Sequence, residues 1–204
     1  MLSRRRFVQT SSIALTGTAC GVAKGSESAS ETADSLPPSI ASLTSMKDQA
    51  TPISVEERRA RLDKARRLMA EHHIDALMLT GGTSMVYFTG MQWGLSERMT
   101  AVILPAKGNA FIVTPKFEEE RTIEQARTGP LGAGTQVMTW EEHENPGTLV
   151  AQGLRSAGIA SGALGVEETV RFTFSNMVAT AAPSLRITSG NPVSAGCRME
   201  IGRA

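Results

Sequence analysis

Between Ser84 and Pro105 the chain reads SMVYFTGMQWGLSERMTAVILP, and three of these side chains, Trp93, Glu97 and Arg98, have the chemistry of a contact site. An indole offers a flat apolar face, and a guanidinium can hold a carboxylate through two parallel hydrogen bonds. Trp93 with Arg98 would therefore suit the end of a small peptide. A structural reading stands beside this one: a half-exposed Trp next to a surface ion pair, which contributes ~0–1 kcal/mol. The flanks say how the three would be positioned. Tyr87-Phe88-Thr89-Gly90 reads as a turn and Thr100 to Leu104 as a buried, β-branched strand. The polar residues then lie on a loop held at both ends, where side chains reach solvent from a fixed scaffold.

Other residues invite chemistry and fail on spacing. Glu141, Glu142, His143 and Glu144 are consecutive, so in any regular element they point in different directions and read as a solvated turn, not a metal site. His72 and His73 end a helix, where the dipole favours a partly positive imidazole. Gly81-Gly82 lacks the lysine and the spacing of a phosphate loop and reads as a tight turn. No nucleophile elbow or Ser/His/Asp arrangement stands out. Only two cysteines occur, Cys20 and Cys197, and the first lies in a segment expected to be removed. That excludes a disulfide framework and a Cys-based zinc site, and leaves Cys197 as a lone thiol.

The amino terminus carries an address. Ser3-Arg4-Arg5-Arg6-Phe7-Val8-Gln9 resembles the twin-arginine export signal, Ser/Thr-Arg-Arg-x-Phe-Leu-Lys, with Arg4, Arg5 and Phe7 at its marked positions. The apolar run from Ser11 to Ala23 is too short for a membrane span of ~20 residues and reads as the signal's hydrophobic region. Residues 1–23 are thus expected to engage the twin-arginine translocase and send the protein to the periplasm or outside the cell. Cleavage after Ala23 is one outcome. Lipid attachment at Cys20 is the other, although Gly17 stands where a lipoprotein signal usually has Leu. Residues 24–51, rich in Ser, Ala, Glu and Thr, cannot bury enough to offset their ordering entropy and are expected to form a disordered linker.

The elements that follow read as one α/β domain over residues 52–199. Ser54 with Glu57 is a capping-box signature, and Val55, Leu62, Ala65 and Met69 share one face of a helix reaching Glu71. Asp75 to Thr80 is a continuous apolar run, as expected of an interior strand. The strand ending at Leu104 and the run Ala110 to Thr114 form a hairpin, so the sheet is mixed. Thr114-Pro115 reads as the N-cap and first residue of an acidic helix ending near Arg127. A strand at Gln136 to Thr139 and a helix opened by Asn145-Pro146 and closed by Gly158 come next. Leu164 to Glu167, Phe172 to Ala182 and Leu185 to Thr188 then give strand, helix and strand. The 204 residues carry a formal charge of +1 with both signs interspersed, which gives no basic surface for nucleic acid.

Taken in order, Arg61 to Met69, Asp75 to Leu79, Tyr87-Phe88-Thr89-Gly90, the Trp93 to Arg98 loop and Gly165-Val166-Glu167 resemble the N-terminal domain of the creatinase, prolidase and aminopeptidase P family. The resemblance implies a mixed β-sheet flanked by helices, ribonuclease H-like, in the non-catalytic part of an Xaa-Pro peptidase. It also implies that Trp93, Glu97 and Arg98 lie near a substrate entrance or subunit contact. In the family, two Asp, one His and two Glu of a following catalytic domain hold two divalent metals that activate water against the Xaa-Pro amide. This sequence has no aspartate after Asp75, so no catalytic residue, metal ligand or cofactor is expected here. Residues 200–204 would begin the link to that catalytic domain, and the chain resembles a truncated form of the family protein. The partners implied are a second copy in a homodimer or a separately encoded catalytic domain, with proline-containing peptides as the family's substrate. A freestanding binding or dimerisation module derived from this domain is the alternative.

Overall fold

A computed structural model describes residues 36–199. The export motif with Arg4, Arg5 and Phe7, Cys20, most of the expected linker and residues 200–204 lie outside the described residues. The chain divides into two units at residues 50 and 51. In the first, Pro38–Ala41 forms one helical turn and Lys47–Gln49 a 3-10 turn, and neither contains a buried residue. Part of the segment expected to be disordered thus takes local turns. The first of them has Pro38 at a position where its fixed φ suits a helix start.

In the second unit, helix α1 (Val55–Glu71) starts where the capping box placed it, with the Ser54 hydroxyl accepting from the Glu57 amide at 3.0 Å. Strand β1 (Ala76–Thr80) follows, then helix α2 (Thr83–Thr89) and the hairpin of β2 (Ala101–Pro105) and β3 (Phe111–Pro115). Next come α3 (Glu119–Thr128), β4 (Gln136–Trp140), α4 (Pro146–Ser156), β5 (Gly162–Val166), α5 (Phe172–Ala181), β6 (Leu185–Ser189) and α6 (Asn191–Arg198). The six strands form one sheet in the order β4-β3-β2-β1-β5-β6. β1 pairs antiparallel with β2, and β2 with β3. The β1/β5, β3/β4 and β5/β6 pairs are parallel, so the sheet is mixed.

β1 is central and buried along its whole length, and strand alternation divides its side chains between two cores. Leu77 and Leu79 join Leu62, Ala65 and Met69 of α1, Phe88 of α2 and Val193 of α6 on one face. Ala76 and Met78 join Val150 and Leu154 of α4 and Phe174 and Val178 of α5 on the other. The sheet is thus covered on both faces, which explains why its inner strands read as unbroken apolar runs.

Two local expectations are corrected and one helix is added. Tyr87 to Gly90 is not a free turn but the end of α2, closed by Gly90 in the left-handed region at φ 78°, where a Cβ is disfavoured. Seven residues rich in Thr, Val and aromatics carry no helical signal of their own. Burial of Met85 and Phe88 stabilises this short helix from outside. Thr114-Pro115 does not cap the acidic helix, because both residues belong to β3. The Thr114 hydroxyl is buried at 3.1 Å from that of Thr100 and accepts from Thr122 at 3.2 Å. A 3-10 turn over Lys116–Glu118 leads into α3 instead. The third difference is an addition: α6 forms over residues with no sustained helical pattern, and burial of Val193 and Cys197 holds it.

Candidate functional site

The expected contact loop runs from Met91 to Thr100 along the end of the sheet where β1 stops and β2 starts, since Thr80 pairs with Ala101. The structure separates its three candidate residues. Trp93 is 8% exposed and belongs to the core, so the half-exposed indole of the structural reading is corrected. The Arg121 guanidinium lies 4.3 Å from the centroid of its ring and also donates to the Gln92 carbonyl at 3.2 Å. Gln125 accepts from the Gln92 amide at 2.6 Å, so α3 clamps this part of the loop. At the other side, a Cβ on Gly81 would come within 2.2 Å of the Gly94 carbonyl oxygen, and only glycine allows the loop to approach β1 so closely.

Glu97 and Arg98 are at the surface. Arg98 donates to Glu97 and to Glu142, with its side chain 40% exposed, and lies 5.7 Å from the Phe117 ring centroid. The hydrogen bond to Glu142, with the charges of Glu142 and Glu97, raises the guanidinium pKa above its ordinary value. Two carboxylates on one cation leave this group net negative, so an incoming carboxylate would have to displace one of them. Glu142, read as part of a solvated turn, is the second anchor of Arg98. No local pattern could have paired residues 44 positions apart. Among the described residues, no group of three or more His, Cys, Asp or Glu side chains could hold a metal ion.

A second polar group sits where β1 and β5 end. Glu167, one residue past β5 and 7% exposed, accepts from the Ser84 hydroxyl at 2.6 Å. Arg198, from the last turn of α6, donates to the same hydroxyl at 2.5 Å and stands 3.6 Å from Glu167 Oε1. Asn191 Nδ2 donates to Glu168 Oε2 at 3.0 Å. These residues border a cleft of about 400 Å³ whose walls also include Gly82, Thr83, Leu95 and Thr169. Ser84, Glu167 and Arg198 lie 83 and 31 positions apart along the chain, so no local pattern marks them as a group. The signal present was a glutamate immediately after an apolar strand, which burial obliges to find a partner.

Comparison with known proteins identifies the domain. The sequence profile of the Creatinase/Prolidase N-terminal domain matches residues 61–200. The chain is 31% identical over 101 residues to the probable dipeptidase PepE of Mycobacterium tuberculosis, covering 50% of this chain and 26% of that protein. It is 32% identical to an uncharacterized peptidase of Schizosaccharomyces pombe, covering 61% of this chain and 34% of that protein. The chain thus spans about a quarter to a third of the curated relatives it matches. The crystal structure of dipeptidase PepE from Mycobacterium ulcerans superimposes with a TM-score of 0.63 at 27% identity, over 73% of this chain and 38% of that one. The N-terminal domain of an Xaa-Pro dipeptidase from Lactobacillus brevis superimposes with a TM-score of 0.58 over 68% of this chain and 98% of that one; at 18% identity it speaks for the fold. With the profile spanning well over half of its residues and a mixed, helix-flanked sheet to match, the chain belongs to the creatinase/prolidase N-terminal domain family.

Proposed function

We propose that this chain is the non-catalytic N-terminal domain of an exported Xaa-Pro peptidase-like protein, and that its Glu97/Arg98 edge contributes to a subunit contact and to the substrate entrance. The carrying observation is the family match over residues 61–200. In this reading the two divalent metals and the hydrolysis of proline-containing peptides belong to a catalytic domain, and the described residues position substrate or partner. The loop supports such a role physically: Trp93 and Arg121 fix its base, and Arg98, Glu97 and Phe117 are presented at its rim. Trp93 then acts from within, as the residue that holds the loop's shape.

Export rests on Arg4, Arg5 and Phe7. Replacing Arg4 and Arg5 with Lys is expected to hold the precursor in the cytoplasm, and continued export in a strain without the twin-arginine translocase would refute this part. The contact role is tested by joining or mixing the chain with a catalytic domain of the family and measuring assembly and Ala-Pro hydrolysis. Arg98→Ala is expected to weaken one or both while leaving thermal unfolding nearly unchanged. Unaltered assembly and kinetics would reject it. A freestanding module is the second reading. It predicts that the chain is stable and dimerises or binds without a catalytic domain.

A further inference from the structure

The cleft between β1 and β5 has a topological cause that the contact loop does not share. From β1 the chain leaves through α2 toward β2, and from β5 through α5 toward β6, on the opposite side of the sheet. The two parallel strands therefore send their connections in opposite directions, which opens a crevice at their carboxyl ends. In open α/β sheets this is the place where ligands bind. The cleft of about 400 Å³ falls within the range of small-molecule sites, roughly 300–1,000 Å³.

Its charges select the ligand. Glu167 and Arg198 offset one another at the floor, and Arg198 engages Ser84 and Glu167 through Nη1 alone. Its Nη2 and Nε have no hydrogen-bond partner among the described residues, and 36% of the side chain is exposed. At the rim, exposed Glu168 is held by Asn191 through Oε2, leaving Oε1 open. A simple anion would find donors on Arg198 but meet Glu167 and Glu168. A simple cation would pair with Glu168 but leave the open edge of Arg198 without an acceptor. A molecule bearing both charges meets an opposite charge at each end, its carboxylate on the open edge of Arg198 and its ammonium on Glu168.

We propose that this cleft binds a small zwitterion carrying one ammonium and one carboxylate, of which a free α-amino acid is the simplest, with the carboxylate on the open edge of Arg198 and the ammonium on Glu168. Thr83 and Thr169 add neutral hydroxyls along the walls. Leu95 of the loop borders the cleft, but the assignment uses neither Glu97 nor Arg98 and no peptidase activity.

The test is an amide chemical-shift titration of the isotopically labelled full chain with glycine, and with acetate and methylammonium as single-charge probes. Glycine is expected to give saturable shifts at Ser84, Glu168 and Thr169, with a dissociation constant on the order of 1 mM. Acetate and methylammonium should bind at least about tenfold more weakly, a difference of ~1.4 kcal/mol. Glu168→Gln, at an exposed position outside the Ser84/Glu167/Arg198 group, should weaken glycine by a similar factor with the rest of the spectrum unchanged. Arg198→Lys, which keeps a positive charge beside Glu167, should weaken glycine while the fold is retained. No saturable shifts with glycine, acetate binding as tightly as glycine, or unchanged glycine affinity in Glu168→Gln would each overturn the proposal. None of these outcomes bears on assembly or hydrolysis, so the contact role and the cleft can fail separately.

Discussion

Trp93→Ala separates a structural tryptophan from a contact residue. The indole is 92% buried, packs in the core with Met85, Phe88 and Met91, and carries Arg121 on its outer face. Truncating an aromatic in such a setting costs ~3–5 kcal/mol, because the transfer energy is lost and the surroundings collapse only partly. Loss of the Arg121 contact adds about 0.5–1 kcal/mol. For a domain of this size, 1 kcal/mol moves the midpoint by roughly 2–4 °C, so a fall of roughly 7–24 °C is expected. Urea unfolding can be followed by the fluorescence of Trp140, the other tryptophan, whose indole N–H donates to the Met99 carbonyl inside the opposite core. Arg98→Ala is the control: it removes two surface ion pairs worth ~0–1 kcal/mol each. A Trp93→Ala loss below about 1 kcal/mol would mean that the indole does not support the loop, and the argument from burial would be wrong.

Glu167→Ala would leave Ser84 and Arg198 without their shared acceptor, and a loss of about 1–3 kcal/mol is expected in denaturant titration, with Glu167→Gln milder. Among the described residues the buried Ser194 hydroxyl has no hydrogen-bond partner, so Ser194→Ala should be neutral or stabilising by up to about 1 kcal/mol in the same assay; a clear loss would show that the hydroxyl is partnered. Tyr87 has its phenol pKa raised by burial, against the opposing pull of Arg61. The folded state then holds this proton to higher pH than the unfolded chain. Its stabilisation is complete below the ordinary value near 10 and is lost as pH rises through the folded pKa. A steeper stability decline above about pH 10 in the wild type than in Tyr87→Phe, measured by urea unfolding across pH, is the expected sign.

Much of the fold was legible because its signals are local. Ser54 with Glu57 marked the start of α1, and Asn145-Pro146 marked that of α4, with the Asn145 side chain accepting from the Gly147 amide at 2.9 Å. The buried runs at β1, β2 and β3 announced themselves through continuous apolar residues. α2 and α6 went unread for a different reason. They are seven and eight residues long, below the length at which sequence propensity sustains a helix, and packing decides them. Thr114-Pro115 misled because a Thr-Pro pair serves equally well at the end of a strand, and only the buried hydroxyls of Thr100 and Thr122 select that use.

The sequence alone determined the α/β class, the domain family and the residue types at the loop, since these depend on patterns within a few turns of chain. Tertiary structure decided which of those residues can act. It placed Trp93 inside, joined Arg98 to Glu142, and brought Ser84, Glu167 and Arg198 to one cleft. Burial of a side chain and pairing of a charge depend on what the rest of the chain puts beside it, and partners 31 to 114 positions distant leave no trace in local spacing.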